Sequence, residues 1–321
     1  MNKGLRIIFM GTPEFAQGVL HQILESKHQV LAVVTAPDRP AGRGQKIKKS
    51  AVKTYAESQS IDVLQPFKFK EDGFIDKLKS YEADLFVVVA FRMLPQAVWS
   101  LPKKGTINLH ASLLPNYRGA APINWAIING EKYTGVTTFF INENIDTGDI
   151  IQNKKVAISK NMNAGALHDE LLQVGSKLVV ETIDAIEGDA IMAQKQADVN
   201  ENMGKHAPKI FKNDCKIDWS LNSSEIHNRI RGLSPYPGAW CALFNKAKGT
   251  KVQFKLFSSA ITDQVCQERK VTLKNSEEGI LFPCQDRYLC INELQMEGKR
   301  RMTFKEFLAG NALEEFELIL E

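Results

Sequence analysis

Short apolar runs alternate with segments of helical periodicity along the first 130 residues of the chain. The apolar runs predict buried strands at residues 5–10, 30–35, 83–90 and 106–110. The segments between and after them predict helices at residues 13–25, 51–59 and 122–128. Strands that are apolar on both faces and alternate with helices are typical of a parallel sheet covered on both sides. We therefore expect an α/β domain with a doubly wound, mostly parallel sheet, whose ligands bind at the carboxyl ends of the strands.

The pattern changes after residue 135. Two alternating segments, 135–142 and 149–158, predict antiparallel strands joined by a loop, and a long amphipathic helix is predicted at 164–186. After a polar and weakly patterned stretch, short strands separated by turns are predicted at residues 216–219, 240–244, 251–257, 279–282 and 288–294. This spacing favours a small all-β, OB-like barrel.

Length and composition agree with two domains. A chain of 321 residues with 44% hydrophobic and 24% charged side chains can bury an ordinary core in each half. We predict a first domain over residues 1–195, a linker over 196–208 and a second domain over 209–321. The first apolar run is too short for a secretory signal or a membrane span, so a cytoplasmic protein is expected.

Cysteine usage gives no sign of a metal centre. The five cysteines lie in the last third of the chain, at positions 215, 241, 266, 284 and 290, and none belongs to a C-x-x-C pair. An odd count without metal-ligand spacing argues against both a zinc site and a disulfide framework. We expect free thiols and no bound metal.

Positive charge is concentrated in two regions, although the whole chain carries only +4. Residues 38–53 contain six basic side chains against one acid, and residues 205–305 contain 18 Lys and Arg against 10 Asp and Glu. Five glutamates in residues 306–321 hide this balance in the net charge. A basic loop together with a basic β domain favours a polyanionic partner, nucleic acid above all, over a merely solvated surface.

The candidate chemistry lies at the end of the strand predicted at 106–110. Asn108 and His110 stand two residues apart, so their side chains face the same side of a strand. Asp146 lies in the later loop between the two antiparallel strands. Acyl transfer to an amine requires a donor to the developing oxyanion, a group that moves protons and a carboxylate that orients it. A structural histidine, and an Asp in an Asx-turn, are the alternatives for His110 and Asp146.

Two loops next to predicted strands complete the candidate site. Gly11, Thr12 and Pro13 join the first strand to the first helix, where backbone N–H groups can face an anion or form a plain turn. The segment lacks the G-x-G-x-x-G pattern, which argues against a nicotinamide dehydrogenase. Residues 91–95 follow the most apolar strand, and their apolar side chains suit either a flat heterocycle or the core.

These residues resemble those of the 10-formyltetrahydrofolate-dependent formyltransferases. The pattern N-x-H-x-S-L-L-P-x-x-R-G runs from residue 108 to residue 119, and D-T-G follows at 146–148. Further blocks are similar to the branch of the family that formylates methionyl initiator tRNA, at residues 9–16, 37–44, 119–123, 207–219 and 235–240. The resemblance implies a Rossmann-like formyltransferase catalytic domain followed by a β-barrel domain that binds tRNA.

The activity implied by the resemblance is transfer of the formyl group of 10-formyltetrahydrofolate, the co-substrate, to the α-amine of methionyl initiator tRNA, for translation initiation. It implies that Asn108 stabilises the tetrahedral oxyanion, that His110 assists proton transfer, and that Asp146 holds His110 and an ordered water. The folate is expected to lie along Phe91, Arg92, Met93, Leu94, Ser112, Leu113, Leu114, Pro115 and Ile141. Many family members have Y-G-x-x-L-P after the main strand, whereas this chain has the shorter F-R-M-L-P, so the role of Arg92 is open.

RNA contacts are likewise implied by the resemblance. The loop at residues 38–49 is expected to grip the acceptor end of the tRNA, with Arg43 foremost. The basic residues involved are Arg39, Arg43, Lys46, Lys48 and Lys49 in this loop, and Lys209, Lys212, Arg229 and Arg231 in the second domain. Such contacts should be salt-dependent and mostly independent of sequence. We expect a monomer that binds no membrane.

Four other functions remain as alternatives. A formyltransferase acting on an amino-sugar nucleotide would share the candidate catalytic residues and a C-terminal barrel, but a small nucleotide sugar needs no basic loop. A purine-pathway formyltransferase would not need the second domain, and a hydrolase that releases formate from the folate would not need the tRNA-type blocks. A tRNA-binding module with an idle enzyme domain would not need Asn108, His110 and Asp146.

Overall fold

The computed structural model describes residues 4–41, 46–71, 73–196, 205–266 and 272–319. The chain forms two compact units. Unit 1 is drawn from residues 1–120, 134–157 and 168–207, and unit 2 from residues 121–133, 158–167 and 208–321. Two short segments of the first half therefore belong with the C-terminal residues, and the domain limits expected from the sequence stay a prediction.

Strands and helices alternate along the first 207 residues. The strands are β1 (Arg6–Gly11), β2 (Gln29–Val34), β3 (Arg39–Ala41), β4 (Lys46–Lys48), β5 (Asp62–Leu64), β6 (Leu85–Val89), β7 (Thr106–His110), β8 (Arg118–Gly119), β9 (Tyr133–Phe140), β10 (Ile150–Ala157) and β11 (His206–Ala207). The helices are α1 (Glu14–Leu24), α2 (Ala51–Ser58), α3 (Phe74–Ser80), α4 (Gln96–Trp99), α5 (Pro122–Ile128) and α6 (Ala164–Glu187). Of these, α5 belongs to unit 2.

Seven strands of unit 1 form one sheet in the order β10-β9-β7-β6-β1-β2-β5. Strands β5, β2, β1, β6 and β7 are parallel, and β9 pairs antiparallel with β7. From β1 the chain goes to one side for β2 and later crosses to the other side for β6. Ligands of open α/β sheets bind beside such a switch point, at the carboxyl ends of the strands. The doubly wound, mostly parallel sheet expected from the sequence is confirmed.

The apolar runs form the core of unit 1. All five residues of β6 are buried, and Ile7, Ile8, Phe9 and Met10 of β1 have 0% exposure. Burial of each such side chain contributes roughly 1.5–3 kcal/mol, so the central strands are held firmly between the helices. The carboxyl ends of β1, β6 and β7 therefore form a rigid platform for the loops that follow them.

Short elements of unit 1 were not predicted. Strands β3 and β4 form a two-stranded hairpin within the basic segment, with Arg39 opposite Lys48. Strand β8 pairs in parallel with β11, with Gly119 opposite Ala207. These strands are only two or three residues long, so neither periodicity nor an apolar run marks them in the sequence.

Unit 2 consists of residues 121–133, which carry α5, residues 158–167, which include the start of α6, and the chain from residue 208 onward. Its further helices are α7 (Ser223–Gly232) and α8 (Phe304–Leu308), and its strands are β12 (Ala239–Asn245), β13 (Thr250–Val265), β14 (Lys274–Asn275), β15 (Ile280–Pro283), β16 (Arg287–Met296), β17 (Met302–Thr303) and β18 (Phe316–Leu318). None of the helices in the described ranges is long and apolar enough to cross a membrane.

The sheet of unit 2 is antiparallel, in the order β14-β15-β16-β13-β12-β18, with β17 added to β16. An isolated bridge joins Thr272, just before β14, to Glu317 on β18, so the two edges of the sheet meet. Phe254, Phe282 and Ile291 belong to the apolar cluster that fills this unit. The small barrel-like β domain expected from the sequence is confirmed.

Two features of unit 2 correct the sequence-based expectation. Residues 216–219, predicted as a strand, contribute only one bridge between Lys216 and Trp240. Helix α7 was not predicted, although it opens with a capping box in which Asn222 and Glu225 bond reciprocally to each other's backbone N–H. The all-β expectation therefore overlooked a helix whose start signal was present in the sequence.

Candidate active site

Asn108 and His110 lie at the carboxyl end of β7, between β6 and β9. Asn108 stands opposite Val88 on β6 and Phe139 on β9. Because alternate residues of a strand share a face, the side chains of Asn108 and His110 project on the same side. The Asn108 Oδ1 atom is buried, and none of the described residues donates to it. An unpaired buried acceptor costs about 1–3 kcal/mol, which is expected where a substrate completes the hydrogen bonding.

His110 is held between a backbone carbonyl and a carboxylate. Its Nε2 atom lies 2.8 Å from the Tyr117 carbonyl oxygen, and its Nδ1 atom lies 3.7 Å from Asp146 Oδ2. A carbonyl oxygen only accepts, so Nε2 carries a proton, and in the neutral imidazole Nδ1 is the free base. At 3.7 Å Nδ1 and the carboxylate are not hydrogen-bonded, and they form an ion pair only when the imidazole is protonated. His110 can therefore take a proton on Nδ1, where Asp146 stabilises the imidazolium.

Asp146 lies in the loop between β9 and β10, and its backbone is strained. Its φ of +55° falls in the left-handed region that residues other than glycine avoid. Its Oδ2 atom accepts a hydrogen bond of 2.9 Å from the Gly119 N–H, and its side chain is only 11% exposed. Gly148 is required two residues further on, since a Cβ there would lie 1.6 Å from the Phe140 carbonyl oxygen. The D-T-G sequence thus allows a tight loop that presents the carboxylate to His110.

The turn at residues 112–115 follows β7 directly and is fastened by its own polar groups. Ser112 is fully buried, and its Oγ donates to the Asn116 carbonyl at 2.7 Å. The Thr137 hydroxyl on β9 donates to the Ser112 carbonyl at 2.7 Å and accepts from the Leu114 N–H at 3.2 Å. The Ser112 hydroxyl is therefore used inside the turn, where Leu114 is also buried, while Leu113 and Pro115 are half-buried.

Phe91, Leu94 and Ile141 form an apolar surface at the carboxyl end of β6. Leu94 is a buried member of the core cluster that includes Val88, and the partly buried Phe91 and Ile141 pack against that cluster. Ala90, directly before them, has φ +46°, so the chain leaves β6 in a sharp turn. The structure thus brings the loop at residues 91–94 and the start of the Asp146 loop onto the same cluster, as expected for the walls of a site for a flat ligand.

Arg92 is tied to the protein through its guanidinium, although the residue is partly exposed. It donates to the carbonyls of Pro66 at 2.5 Å and Phe67 at 2.8 Å, and its Cζ lies 4.1 Å from the centre of the Phe69 ring. Partial burial lowers the pKa of Arg92, which still remains charged at neutral pH. Arg92 therefore links residues 66–69 to the shortened loop, while its neighbour Met93 is 72% exposed.

The basic segment forms the β3–β4 hairpin. Arg39 and Lys48 stand opposite each other and are exposed, and Lys46 lies opposite Ala41. Arg43, the residue foremost in the sequence-based expectation, lies outside the described residues. Ile47, which sequence reasoning did not single out, is 72% exposed between two lysines.

Ion pairs anchor this hairpin to α2. Lys53 Nζ lies 2.6 Å from Asp38, and Gln65 donates to the same carboxylate at 2.8 Å. The Lys53 ammonium, followed by the Gln65 amide, holds the pKa of Asp38 below its ordinary value. Lys49, one of the expected RNA contacts, pairs with Glu57 at 2.7 Å. Some of the positive charges at the base of the hairpin are thus neutralised by carboxylates of the protein itself.

In unit 2, Lys209 and Lys212 are exposed beside aromatic rings. Lys209 Nζ lies 5.4 Å from the centre of the Phe211 ring. The Lys212 carbonyl accepts a hydrogen bond of 2.8 Å from the Trp240 indole N–H, which fixes that ring. Lys212 borders a cleft of about 240 Å³, together with Ile210, Cys215, Tyr236, Pro237, Gly238, Trp240, Gln253 and Lys255.

Arg229 and Arg231 on α7 are engaged within unit 2. Arg229 donates to the Asp214 carbonyl. Arg231 is 7% exposed and donates to Asn228 Oδ1 at 2.9 Å and to the Met162 carbonyl at 2.8 Å. Burial lowers the pKa of Arg231, as expected for a cation removed from water. We do not carry these two arginines forward as RNA contacts, because their guanidinium groups already have partners inside the protein.

His28, Asp184 and Glu187 form a group of three potential metal ligands within the described part of the chain, with their ligand atoms within 4.8 Å of one another. Lys27 Nζ already lies 2.9 Å from Asp184 and 2.6 Å from Glu187. His28 Nδ1 accepts from the Leu5 N–H at 3.1 Å, so the proton of the neutral ring is on Nε2, facing Asp184 at 3.3 Å. The Lys27 ammonium thus neutralises both carboxylates, whereas His28 Nε2 makes no hydrogen bond among the described residues. We interpret the group as an ion-pair cluster.

Comparison with known proteins places the chain in a family. The formyl transferase model matches residues 5–183, and the model of the formyl transferase C-terminal domain matches residues 209–312. The chain belongs to the formyl transferase family. A methionyl-tRNA formyltransferase of Flavobacterium johnsoniae is 49% identical over 306 residues, which cover 95% of this chain and 96% of that relative.

Solved structures share the fold of this formyl transferase. HypX from Aquifex aeolicus in complex with tetrahydrofolic acid has a TM-score of 0.63 at 18% identity, over 95% of this chain and 47% of that longer chain. The N-formyltransferase from Helicobacter canadensis in complex with folinic acid and dTDP-3-aminofucose has a TM-score of 0.61 at 22% identity, over 93% and 100% of the two chains. The likeness at these identities concerns the fold.

Three residues to which sequence reasoning gave no role support the candidate active site of this formyl transferase. The Tyr117 carbonyl sets the tautomer of His110, the Gly119 N–H holds Asp146, and the Thr137 hydroxyl fastens the turn after β7. Tyr117 and Gly119 have φ values of +60° and +122°. A backbone carbonyl or N–H has no residue-type signature, so only the three-dimensional arrangement reveals these roles.

Proposed function

We propose that this chain transfers a formyl group from 10-formyltetrahydrofolate to the α-amine of methionyl initiator tRNA. The observation that carries the proposal is the setting of His110, whose Nε2 faces the Tyr117 carbonyl and whose Nδ1 lies 3.7 Å from the Asp146 carboxylate, with Asn108 on the same strand face. Relatives that are 42–49% identical over nearly their whole length carry the name methionyl-tRNA formyltransferase, which supports it.

The residues at the carboxyl ends of β6 and β7 fit a folate. Phe91, Leu94 and Ile141 offer an apolar surface, and the backbone of the loop after β6 offers hydrogen-bonding groups for a heterocycle. We keep Leu113, Leu114 and Pro115 of the turn at residues 112–115 as the expected second apolar side of the ligand. The fold neighbours solved with tetrahydrofolic acid and folinic acid support this choice of ligand. When bound, 10-formyltetrahydrofolate supplies an activated formyl group.

His110, assisted by Asp146, would transfer a proton from the attacking amine to the leaving nitrogen. The attacking amine must be neutral, and α-amino groups titrate at roughly pH 7.7–8.0, so a useful fraction is neutral near pH 7. As the new C–N bond forms, His110 Nδ1 accepts the proton that the amine nitrogen loses. The nearby Asp146 carboxylate stabilises the imidazolium, while the Tyr117 carbonyl keeps the ring oriented. His110 then returns the proton to the nitrogen that leaves the formyl carbon.

Asn108 would stabilise the developing negative charge. Its side chain lies beside His110 on β7, and its carboxamide can donate a hydrogen bond to the formyl oxygen as that oxygen gains charge. The buried Oδ1 has no donor among the residues described, so the acceptor end of this carboxamide is left for a bound group. Loss of one such donor typically lowers turnover on the order of 10²- to 10³-fold.

Exposed cations in both units support RNA as the second partner. The β3–β4 hairpin presents Arg39 and Lys48, and unit 2 presents Lys209 and Lys212 beside aromatic rings. Lysines that neutralise phosphates, together with rings on which bases stack, are the usual means of binding RNA strands. We keep Arg43 and Lys46 as RNA contacts on the sequence alone. A monomeric enzyme of the cytoplasm, with domains at residues 1–195 and 209–321, also remains part of the proposal.

A formyltransferase acting on an amino-sugar nucleotide is the second candidate. The Helicobacter canadensis protein, solved with dTDP-3-aminofucose, shares the fold with a TM-score of 0.61. A nucleotide sugar presents only two phosphates, whereas residues 205–305 of this chain carry 18 basic against 10 acidic side chains. The excess of positive charge and the basic hairpin would attract the phosphates of a tRNA, whereas a nucleotide sugar does not require them.

A formyl-transfer assay with three acceptors tests the proposal. Purified protein and 10-formyltetrahydrofolate are offered methionyl initiator tRNA, methionyl elongator tRNA or a 4-amino-sugar nucleotide. Formylation of the initiator tRNA alone is the expected result. Product from the sugar nucleotide alone would overturn the RNA partner while keeping the chemistry, and a folded protein that gives no product from any acceptor would overturn the proposed reaction.

A further inference from the structure

Gln196 contacts the backbone of the Asp146 loop. Its carboxamide forms hydrogen bonds with two backbone carbonyls of that loop and with the side chain of one arginine. Its Nε2 donates to the carbonyl oxygens of Asp146 at 3.0 Å and of Gly148 at 2.8 Å. Its Oε1 accepts from Arg118, at 2.6 Å from Nη2 and 3.2 Å from Nε. Carbonyls only accept and a guanidinium only donates, so these partners fix the orientation of the carboxamide. Arg118 therefore holds Gln196 in the orientation in which it can donate to the loop.

The loop between β9 and β10 needs the hydrogen bonds from Gln196 at Asp146. Asp146 adopts a left-handed conformation, with φ +55°, which a residue with a side chain keeps only where its surroundings hold it. Gln196 bonds to the carbonyl of Asp146 itself and to that of Gly148, so it fixes the peptide groups that follow Asp146 and Gly148. The position of the Asp146 carboxylate thus depends on the side chain of a residue 50 positions later.

Arg118 and Gly119, which are adjacent in β8, hold Asp146 by two routes. The Gly119 N–H donates directly to the Asp146 carboxylate at 2.9 Å. The Arg118 guanidinium acts on the Asp146 backbone through Gln196. These four residues form a closed ring, and the carboxylate in it lies 3.7 Å from His110 Nδ1. Removal of the Gln196 amide would leave the carboxylate with the Gly119 contact but release the backbone that carries it.

The chain on the N-terminal side of Gln196 is itself fixed. Gln194 and Ile150, at the start of β10, exchange two backbone hydrogen bonds of 2.8 Å each. Further along the same stretch, β11 pairs with β8. Although the sequence places Gln196 at the start of a polar linker, its side chain is half-buried and its backbone neighbours are paired with the sheet.

We propose that Gln196, oriented by Arg118, is a positioning residue for formyl transfer, which holds the Asp146 carboxylate at the place where it stabilises protonated His110. The inference rests on the proposed function. Gln196 bonds to no group of the candidate catalytic residues other than the Asp146 backbone, so its effect on the reaction passes through Asp146. Substitution of Gln196 should therefore lower kcat without changing the binding of either substrate.

Two substitutions of Gln196 and one matched control test the inference. Gln196→Glu keeps an acceptor for Arg118 but cannot donate to the carbonyls when ionised, and Gln196→Ala removes both functions. Both should lower kcat on the order of 10- to 100-fold, because a small misplacement of a catalytic group has effects of this size, while the KM values stay within about twofold. Gln194→Ala removes an exposed side chain of the same type in the same stretch and should keep the wild-type kcat.

A double variant separates positioning from a general loss of structure. Asp146→Asn combined with Gln196→Ala should be as slow as Asp146→Asn alone, because Gln196 acts through the carboxylate that is already absent. A further, multiplicative loss in the double variant would overturn the inference, as would wild-type kcat in both Gln196 variants. If those variants do not fold, Arg118→Lys weakens the same ring and should lower kcat without raising either KM. A wild-type protein that formylates no acceptor would instead overturn the proposed function.

Discussion

The carboxyl end of β7 and the β3–β4 hairpin belong to the same unit but differ in how they use polar groups. Around His110 the imidazole, the Asp146 carboxylate and the Ser112 hydroxyl are buried and bonded to fixed backbone atoms. On the hairpin, Arg39 and Lys48 are exposed. Proton transfer depends on distances of a few tenths of an ångström, whereas attraction of a polyanion acts over a Debye length of about 8 Å. Substitutions in the first region should therefore change turnover, and those in the second should change affinity.

The largest effect is expected at the His110–Asp146 pair. His110→Ala removes the proton acceptor, and Asp146→Asn removes the charge that stabilises the imidazolium, so each should lower kcat on the order of 10³-fold. The dissociation constant for tRNA, measured by filter binding, should stay within about twofold, because neither residue lies on the hairpin. Turnover close to wild type in either variant would contradict the assignment of this region to chemistry.

The next effect is expected at Asn108. Asn108→Ala removes the proposed donor to the oxyanion and should lower kcat on the order of 10²- to 10³-fold, with little change in the KM for either substrate. Steady-state kinetics with both substrates varied measure it. Asn108→Asp is the informative companion, because its carboxylate cannot donate and should be at least as slow; a fully active Asp variant would rule out the oxyanion role.

A smaller and different effect is expected on the hairpin. Lys48→Ala should raise the KM for tRNA a few-fold and reduce the slope of log affinity against log salt by about 1, since one phosphate contact is lost. The kcat at saturating tRNA and the KM for the folate should not change. Lys79→Ala, on α3 and paired with Asp76 at 3.5 Å, serves as the control for loss of a surface lysine. An unchanged salt slope in Lys48→Ala would remove the hairpin from the RNA-binding surface.

The smallest effect concerns the anchor of the hairpin. Lys53, and then Gln65, hold the pKa of Asp38 below its ordinary value of 3.8, so the folded state favours the ionised carboxylate. This stabilisation is fully present above that ordinary value and is lost as the pH falls through the lower value of the folded state. Asp38→Asn should therefore lower the Tm slightly at pH 7, and the difference from wild type should shrink below about pH 4. A difference that grows on acidification would contradict this sign.

Much of the candidate site could be predicted, because side chains such as those of Asn108 and His110 indicate their chemistry by residue type alone. Asn108 and His110 share a strand face at a strand end, and β7 has the bounds that its apolar pattern indicated. The loop with Asp146 was also expected between two strands. The hairpin of β3 and β4 could not be predicted, since strands of three residues are too short to show a periodicity. The role of Arg92 was open for a similar reason, because the carbonyls that it binds at residues 66 and 67 leave no mark in the sequence.

The sequence by itself determined which strands of unit 1 are buried, since burial depends on apolar residue type. It also determined where the positive charge is concentrated and which residues follow β7 at the candidate site. Only the tertiary structure decided which nitrogen of His110 is free, because that depends on a carbonyl seven residues away. It also decided that Gln196 supports Asp146 and that Arg231 is buried. Hydrogen bonds to backbone atoms are directional and involve groups that every residue carries, so they become specific only once the chain is folded.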